Sequence, residues 1–267
     1  MRPLHLDAYT DNYVPPSVLP KFPRFISKWL GGAPAMKDVP EALHYVDILI
    51  GSFVSLLTIE GVFRHSTVFQ EHHAPHIIAS YGATAILAFN VHVAPLAQPR
   101  NIFVGNFISA LIGVCVMKLF SLSETGRDHY WVGGPLAVGV ASVAMSALNC
   151  VHPPSGASAL LPFIDDQIRA MSWWYLPAHI VSSLLIIGVA CVTNNILRSY
   201  PVYWWTAHHF RDEKPDNAGT KSSDLEIGDN KAGDLSIVER DLVIPQGTVL
   251  TTAQMQFLES LKDMIID

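Results

Sequence analysis

Asn101-Ile-Phe-Val-Gly-Asn-Phe-Ile-Ser-Ala-Leu-Ile-Gly-Val-Cys-Val-Met117 runs without an Asp, Glu, Lys or Arg, and so do His72 to Pro99, His129 to Ile164 and Ala170 to Leu197. A helix rises about 1.5 Å per residue, so roughly 20 apolar residues cross a hydrocarbon core about 30 Å thick. Several of these stretches are long enough. Of the 267 residues, 50% are hydrophobic and 15% charged, against about 25% charged in an ordinary soluble domain. Mean hydropathy is +0.29. These values point to an all-α integral membrane protein with lipid as its solvent, and away from a soluble enzyme or a nucleic-acid binder. The net charge of −6 reflects mainly the tail. Cys115, Cys150 and Cys191 all fall in apolar segments and read as packing residues, not a disulfide framework.

Residues 1–42 are polar and rich in proline, and Met1-Arg-Pro-Leu-His-Leu-Asp-Ala carries early acid without an apolar run, so no cleaved secretory signal is expected. Phe22, Phe25, Ile26, Trp29 and Leu30 share a helical face beside Lys21, Arg24 and Lys28. That pattern suits a helix on the membrane surface or a plain linker.

The membrane unit is expected over residues 43–199. Its first span, Leu43 to Phe63, contains Asp47 and Glu60. Glu60 and Arg64 have the spacing of a helical ion pair at the membrane boundary, the alternative being a proton or cation relay; Asp47 is expected at the headgroups. His65, His72, His73 and His76 follow at spacings that match no closed metal site, so they read as a surface loop. No metal or other cofactor is expected. Ile77 to His92 is short and apolar, and Pro95, Pro99 and Arg100 precede spans at Ile102–Phe120, Trp131–Asn149 and Ser172–Leu197. Pro154 to Pro162 is too short to cross. The sequence therefore predicts four full spans plus short re-entrant or broken helices, or five spans if Ile77–His92 crosses. Trp173 and Trp174 at one end of the last span, and Tyr200, Tyr203, Trp204 and Trp205 at the other, suit the two interfaces.

Residues 200–267 begin with those aromatics and turn polar after Arg211, predicting a soluble, largely disordered tail. Thr251 or Thr252 can cap a helix over 251–266 with Met255, Leu258, Leu261 and Ile265 on one face, either docking on a protein partner or forming transiently.

Gly82-Ala-Thr-Ala-Ile-Leu parallels Gly156-Ala-Ser-Ala-Leu-Leu, and Ile112-Gly-Val parallels Ile187-Gly-Val. Each half then reads as span, short Gly-Ala helix, span. Repeated broken helices are how transporters place a polar site at mid-membrane. Lysine and arginine before the first span, at Lys118 and Arg127, and after the last predict both termini and the central loop in the cytoplasm.

The block Asn149-Cys-Val-His152-Pro153-Pro154-Ser-Gly-Ala-Ser-Ala-Leu, with Ala79-Ser-Tyr-Gly-Ala-Thr-Ala and Pro95-Leu-Ala-Gln-Pro-Arg100-Asn101, resembles the HPP family of integral membrane proteins. The resemblance implies a four-helix transmembrane unit and transport; some plant members are associated with nitrite transport across the chloroplast envelope.

Pro153 and Pro154 lack N–H groups, so the carbonyls of Asn149 and Cys150 should lose their helical donors, while Ser155, Gly156 and Ala157 should open a helix whose free N–H groups suit an anion. Gly156 should permit a close approach to the backbone. His152 is placed to donate to a ligand or carry a proton, or else merely to cap the preceding helix. The repeat assigns Ser80, Tyr81, Gly82, Ala83 and Thr84 to the matching half-site, although that half has no His-Pro-Pro. Arg100 either draws an anion to the mouth or anchors its helix to headgroups. Ser109 with Gly113, Ala137 with Ala141 and Ser142 with Ser146 should pack helices closely. These residues predict a transporter or channel for a small solute, an inorganic anion such as nitrite fitting best, with self-association left open. The rival readings are a metal-dependent membrane enzyme and a scaffold that recruits partners through its tail.

Overall fold

The computed structural model describes residues 19, 22–32, 34–36, 39–205, 236–238 and 241–243. A short helix α1 (Arg24–Ser27) runs into a π-helical turn, Lys28–Gly32, which ends at Gly31 with φ +88°. The membrane unit comprises α2 (Glu41–His65), α3 (Thr67–Glu71), α4 (Ser80–Asn90), α5 (Pro99–Phe120), α6 (Glu124–Asp128), α7 (Tyr130–Ala147), α8 (Ser155–Ile164), α9 (Asp166–Met171) and α10 (Tyr175–Leu197). Helices α2, α5 and α7 are long and apolar enough to cross a membrane, as is the stretch Asp166–Leu197 that ends in α10. The four expected spans are therefore present. The chain divides into two units, Met1–Lys214 and Pro215–Asp267, and in the second β1 (Ser236–Val238) pairs antiparallel with β2 (Asp241–Val243). The expected helix over 251–266 and the polar remainder of the tail lie outside the described residues.

Contacts at the helix ends fix the direction of each crossing. At one end, Arg198 pairs with Asp47 and donates to the Phe89 carbonyl, Tyr200 Oη donates to the Ala97 carbonyl, and Arg100 donates to the Leu148 carbonyl. This end gathers the start of α2, the end of α4, the start of α5, the end of α7 and the end of α10; we call it the terminal end. At the far end, His72 stacks on Trp174, Lys118 sits over the Trp173 ring and Ser121 meets Tyr130. Both α2 and α5 therefore run from the terminal end to the far end, and α7 and α10 run back.

Two consequences follow from these directions. The short helices do not turn back to the face they came from: the segment holding α4 returns the chain to the terminal end, and the segment holding α8 takes it to the far end. They run as broken helices between the two ends of the bundle, beside the four stretches long enough to cross a membrane. The central loop, with Lys118 and Arg127, consequently lies at the far end. The expectation that it shares a face with the termini assumed that the short helices turn back to the end they came from. Each half, α2–α4–α5 and α7–α8–α10, makes three passes, and an odd number inverts the second half relative to the first.

Packing follows the positions of small and large residues. Ile59, Phe63, Tyr81, Phe89, Ile102 and Ile186 fill a core between α2, α4, α5 and α10. Met117, Ala137, Ala141, Ala159 and Phe163 fill a second between α5, α7 and α8. A Cβ on Gly113 would lie 2.7 Å from the Ala159 carbonyl oxygen, so α5 and α8 touch backbone to backbone there. Ser109, Gly113, Ala137 and Ala141 pack inward as expected; Ser142 and Ser146 do not, for they are exposed and Ser146 Oγ bonds the Ser142 carbonyl on its own helix. The surface-helix segment near Trp29 docks on the terminal end, where the carbonyls of Trp29 and Leu30 accept from Asn195 and Trp204.

The acids of the first span are placed differently from expectation. Asp47 is not at the headgroups: it is buried and ion-paired with Arg198, whose guanidinium also meets His92. Burial, reinforced by the Arg198 charge, pushes the His92 imidazole down to about 4, so it faces Arg198 as a neutral acceptor. Glu60 and Arg64 form no ion pair, because Glu60 is half-buried while Arg64 is exposed.

Candidate functional site

Helix α7 stops before the prolines act. Asn149 takes φ +48°, Cys150 N–H bonds the Met145 carbonyl and Asn149 N–H bonds that of Ser146. This is a Schellman ending, so the break is made by Asn149, and Pro153 and Pro154 shape the turn that follows. The carbonyls exposed by the turn are held from α5: Arg100 donates to Leu148 and Asn101 Nδ2 to Val151. Arg100, 8% exposed, also donates to the Trp205 carbonyl and lies over its ring at 5.0 Å. It braces the terminal end from within.

The helix-end N–H groups expected to be free are engaged. Ser155, Gly156 and Ala157 N–H bond the carbonyls of His152, Pro153 and Pro154 at 2.9 to 3.1 Å. Gly156 does not provide the close approach either, since a Cβ there would meet only Val138, at 4.0 Å. That role belongs to Gly105, where a Cβ would lie 2.8 Å from the His152 Cβ.

What the fold assembles is a buried polar track. The N-terminal turns of α4 and α8 lie antiparallel, with Thr84 Oγ1 2.9 Å from His152 Nε2 and Ser158 Oγ 2.9 Å from Ser80 Oγ. His152 Nδ1 is 2.8 Å from the Leu96 carbonyl. Asn106 Oδ1, from α5, accepts from Ser155 and Ser158 at 3.1 and 3.3 Å. On the α10 side, Tyr81 Oη meets His179 and Ser183. Ser80, Thr84, Asn106, His152, Ser155, Ser158, His179 and Ser183 are each no more than 2% exposed. By helical rise, Asn106 lies about 10 Å from the start of α5, and His179 about 6 Å from the start of α10 at the opposite end. The track thus runs along the bundle, between its two ends.

Of the residues expected at the site, His152, Ser155, Ser80 and Thr84 line the track, with Tyr81. Pro154 is buried at the turn, Pro153, Ala157 and Ala83 are exposed, and Gly82 and Gly156 are half-buried with open space around them. Asn106, Ser158, His179, Ser182 and Ser183 were not anticipated; their signal is polar residues three and four apart on one face of otherwise apolar helices. Among the described residues no group of three or more His, Cys, Asp or Glu is placed to hold a metal ion.

Four long helices and two short ones that run in opposite directions define a multi-pass integral membrane protein built around a buried polar track. The model of the HPP transmembrane region matches residues 38–201, and the chain belongs to that family. It is 30% identical over 186 residues to a transmembrane protein of Dictyostelium discoideum, covering 68% of this chain and 64% of that one. A second Dictyostelium discoideum transmembrane protein is 31% identical over 189 residues, with 69% and 58% covered. The chain thus spans less than two thirds of the length of these relatives. No solved structure matches it.

Proposed function

We propose that this protein is a transporter or channel, not an enzyme, and that it moves a small solute along the track between His152 and His179. The observation that carries the reading is the buried run of hydroxyl, amide and imidazole groups where the two inverted half-helices meet. Polar groups at that depth are costly unless hydrogen-bonded, and within a membrane unit they mark sites and pathways. The hydrogen-bonding groups suit a small inorganic species, and the family resemblance favours nitrite. Lysine and arginine that precede Glu41 or follow Leu197, together with Arg100 at the same end, favour a cytoplasmic terminal end. The lipid bilayer is the surrounding partner, and the polar tail is available to a protein partner.

The test is solute uptake by reconstituted vesicles. Uptake of nitrite by the wild type that falls at least tenfold in His152→Ala supports the reading. Normal flux in that variant removes His152 from the path, and no protein-dependent flux of any small solute removes the transport function.

A further inference from the structure

His179 is 1% exposed, yet its Nε2 has no hydrogen-bond partner; one turn on, Ser182 Oγ is buried close to the Tyr81 phenol without a well-formed hydrogen bond. Orphaned buried polar atoms are rare and call for something to meet them. The ring is gripped between Tyr81 of α4 and Tyr175 of its own helix, with centroids at 5.5 and 4.5 Å. Those two phenols pack on the ring, and the polar groups that α5 and α8 add to the track, Asn106, Ser155 and Ser158, do not ionise.

The hydrogen-bond geometry tells which kind of atom Nε2 can receive. Tyr81 Oη lies 2.9 Å from the His179 carbonyl oxygen, 3.0 Å from His179 Nδ1 and 2.8 Å from Ser183 Oγ. A phenol carries one proton, and a carbonyl only accepts. If that proton goes to the carbonyl, Nδ1–H and Ser183 both donate to Tyr81 Oη, and all three contacts are hydrogen bonds. If it goes to Nδ1, two oxygens face each other at 2.9 Å with no proton between them. The first arrangement is the satisfied one, and it leaves Nε2 as a bare lone pair. His152 has the same polarity: its Nδ1–H donates to the Leu96 carbonyl, so in the neutral ring Nε2 accepts from Thr84.

We propose that His179 Nε2, with Ser182 beside it, forms a second solute site at the far end of the track and takes a hydrogen-bond donor. Resting on the transport reading above, a weak-acid solute enters as its neutral conjugate acid, not as the anion. The proton stays on the solute and is shared with Nε2, with no net transfer to the protein. A neutral species also avoids the cost of desolvating a charge, and among the described residues no cationic side chain lines the track to offset that cost.

Proteoliposomes holding the full chain and a lumenal pH dye test this with nitrite and formate, protein-free vesicles giving the passive leak. The expected result is protein-dependent influx that acidifies the lumen and is unchanged by an inside-positive potassium–valinomycin potential. At low solute concentration His179→Phe should lower influx about tenfold, the order of one lost hydrogen bond, His179→Gln should recover part of it, and Ser182→Ala should change it in the same direction as Phe. Influx that rises with the potential without acidification, or that is unchanged in both His179→Phe and Ser182→Ala, overturns the proposal while leaving transport intact. Absence of any protein-dependent influx in the wild type would instead sink the transport reading.

Discussion

Thr84 Oγ1 and His152 Nε2 meet at 2.9 Å and join the short helix of one half of the repeat to the turn before the short helix of the other. Thr84 also lies 3.2 Å from the Ser80 carbonyl, the longer of its two contacts, and its single hydroxyl proton goes to His152 Nε2. Thr84→Val keeps the side-chain shape and removes the oxygen, leaving His152 Nε2 buried without a partner at a cost of about 1–3 kcal/mol. The variant should unfold several degrees lower in detergent and lose flux. Thr84→Ser should retain both properties.

Gly113 and Gly188 occupy corresponding places in the two halves but not equivalent surroundings. A Cβ on Gly113 meets the Ala159 carbonyl oxygen at 2.7 Å and its Cα at 3.0 Å, whereas one on Gly188 meets nothing within 4 Å. Backbone cannot yield as a side-chain tip can, so Gly113→Ala should push α5 from α8 and destabilise by about 1–3 kcal/mol. Gly188→Ala should be neutral or slightly stabilising through helix propensity. Thermal unfolding of the two variants in the same detergent reads the contrast, and equal melting temperatures would count against the packing described.

Much of this arrangement was legible in the sequence, and the part that was not has a physical reason. Charge-free length located α2, α5, α7 and α10, because crossing a bilayer is a property of one segment. The paralleled Gly-Ala runs at Gly82 and Gly156 mark α4 and α8, and His152, Ser80 and Thr84, named from the sequence, line the buried track. Direction was not legible, because whether a short helix crosses or turns back depends on where its neighbours end, as Arg198 with Asp47 and Lys118 with Trp173 show. His179 and Ser182 were not legible either. Within an apolar span they carry the same letters whether they face lipid, a neighbour or a path.

The position of the central loop gives a direct check of topology. Ser123 caps α6, and Thr125 lies in it at the far end, while Met36 N–H bonds the Leu197 carbonyl at the terminal end. Cysteines placed singly at Thr125 and Met36, in a background lacking Cys115, Cys150 and Cys191, should react with an impermeant thiol reagent from opposite sides of a sealed vesicle. Labelling of both from the same side would refute six passes of the chain and with them the inversion of the two halves.

Asp47 and Arg198 close the terminal end as a buried pair, their side chains 7% and 6% exposed. Removing one partner strands a charge that the interior cannot solvate, so Asp47→Leu or Arg198→Met alone should cost about 3–5 kcal/mol, whereas the double replacement should recover most of that loss. Acid should loosen the same contact. The folded imidazole of His92, at about 4, lies below its unfolded value of about 6.5. Its share of stability is therefore fully present above about 6.5 and is lost as pH falls toward 4, where a second positive charge would face Arg198. In melting curves taken across that window, His92→Gln should fall less steeply than the wild type. A slope identical in the two proteins would show that His92 does not sense the charge on Arg198.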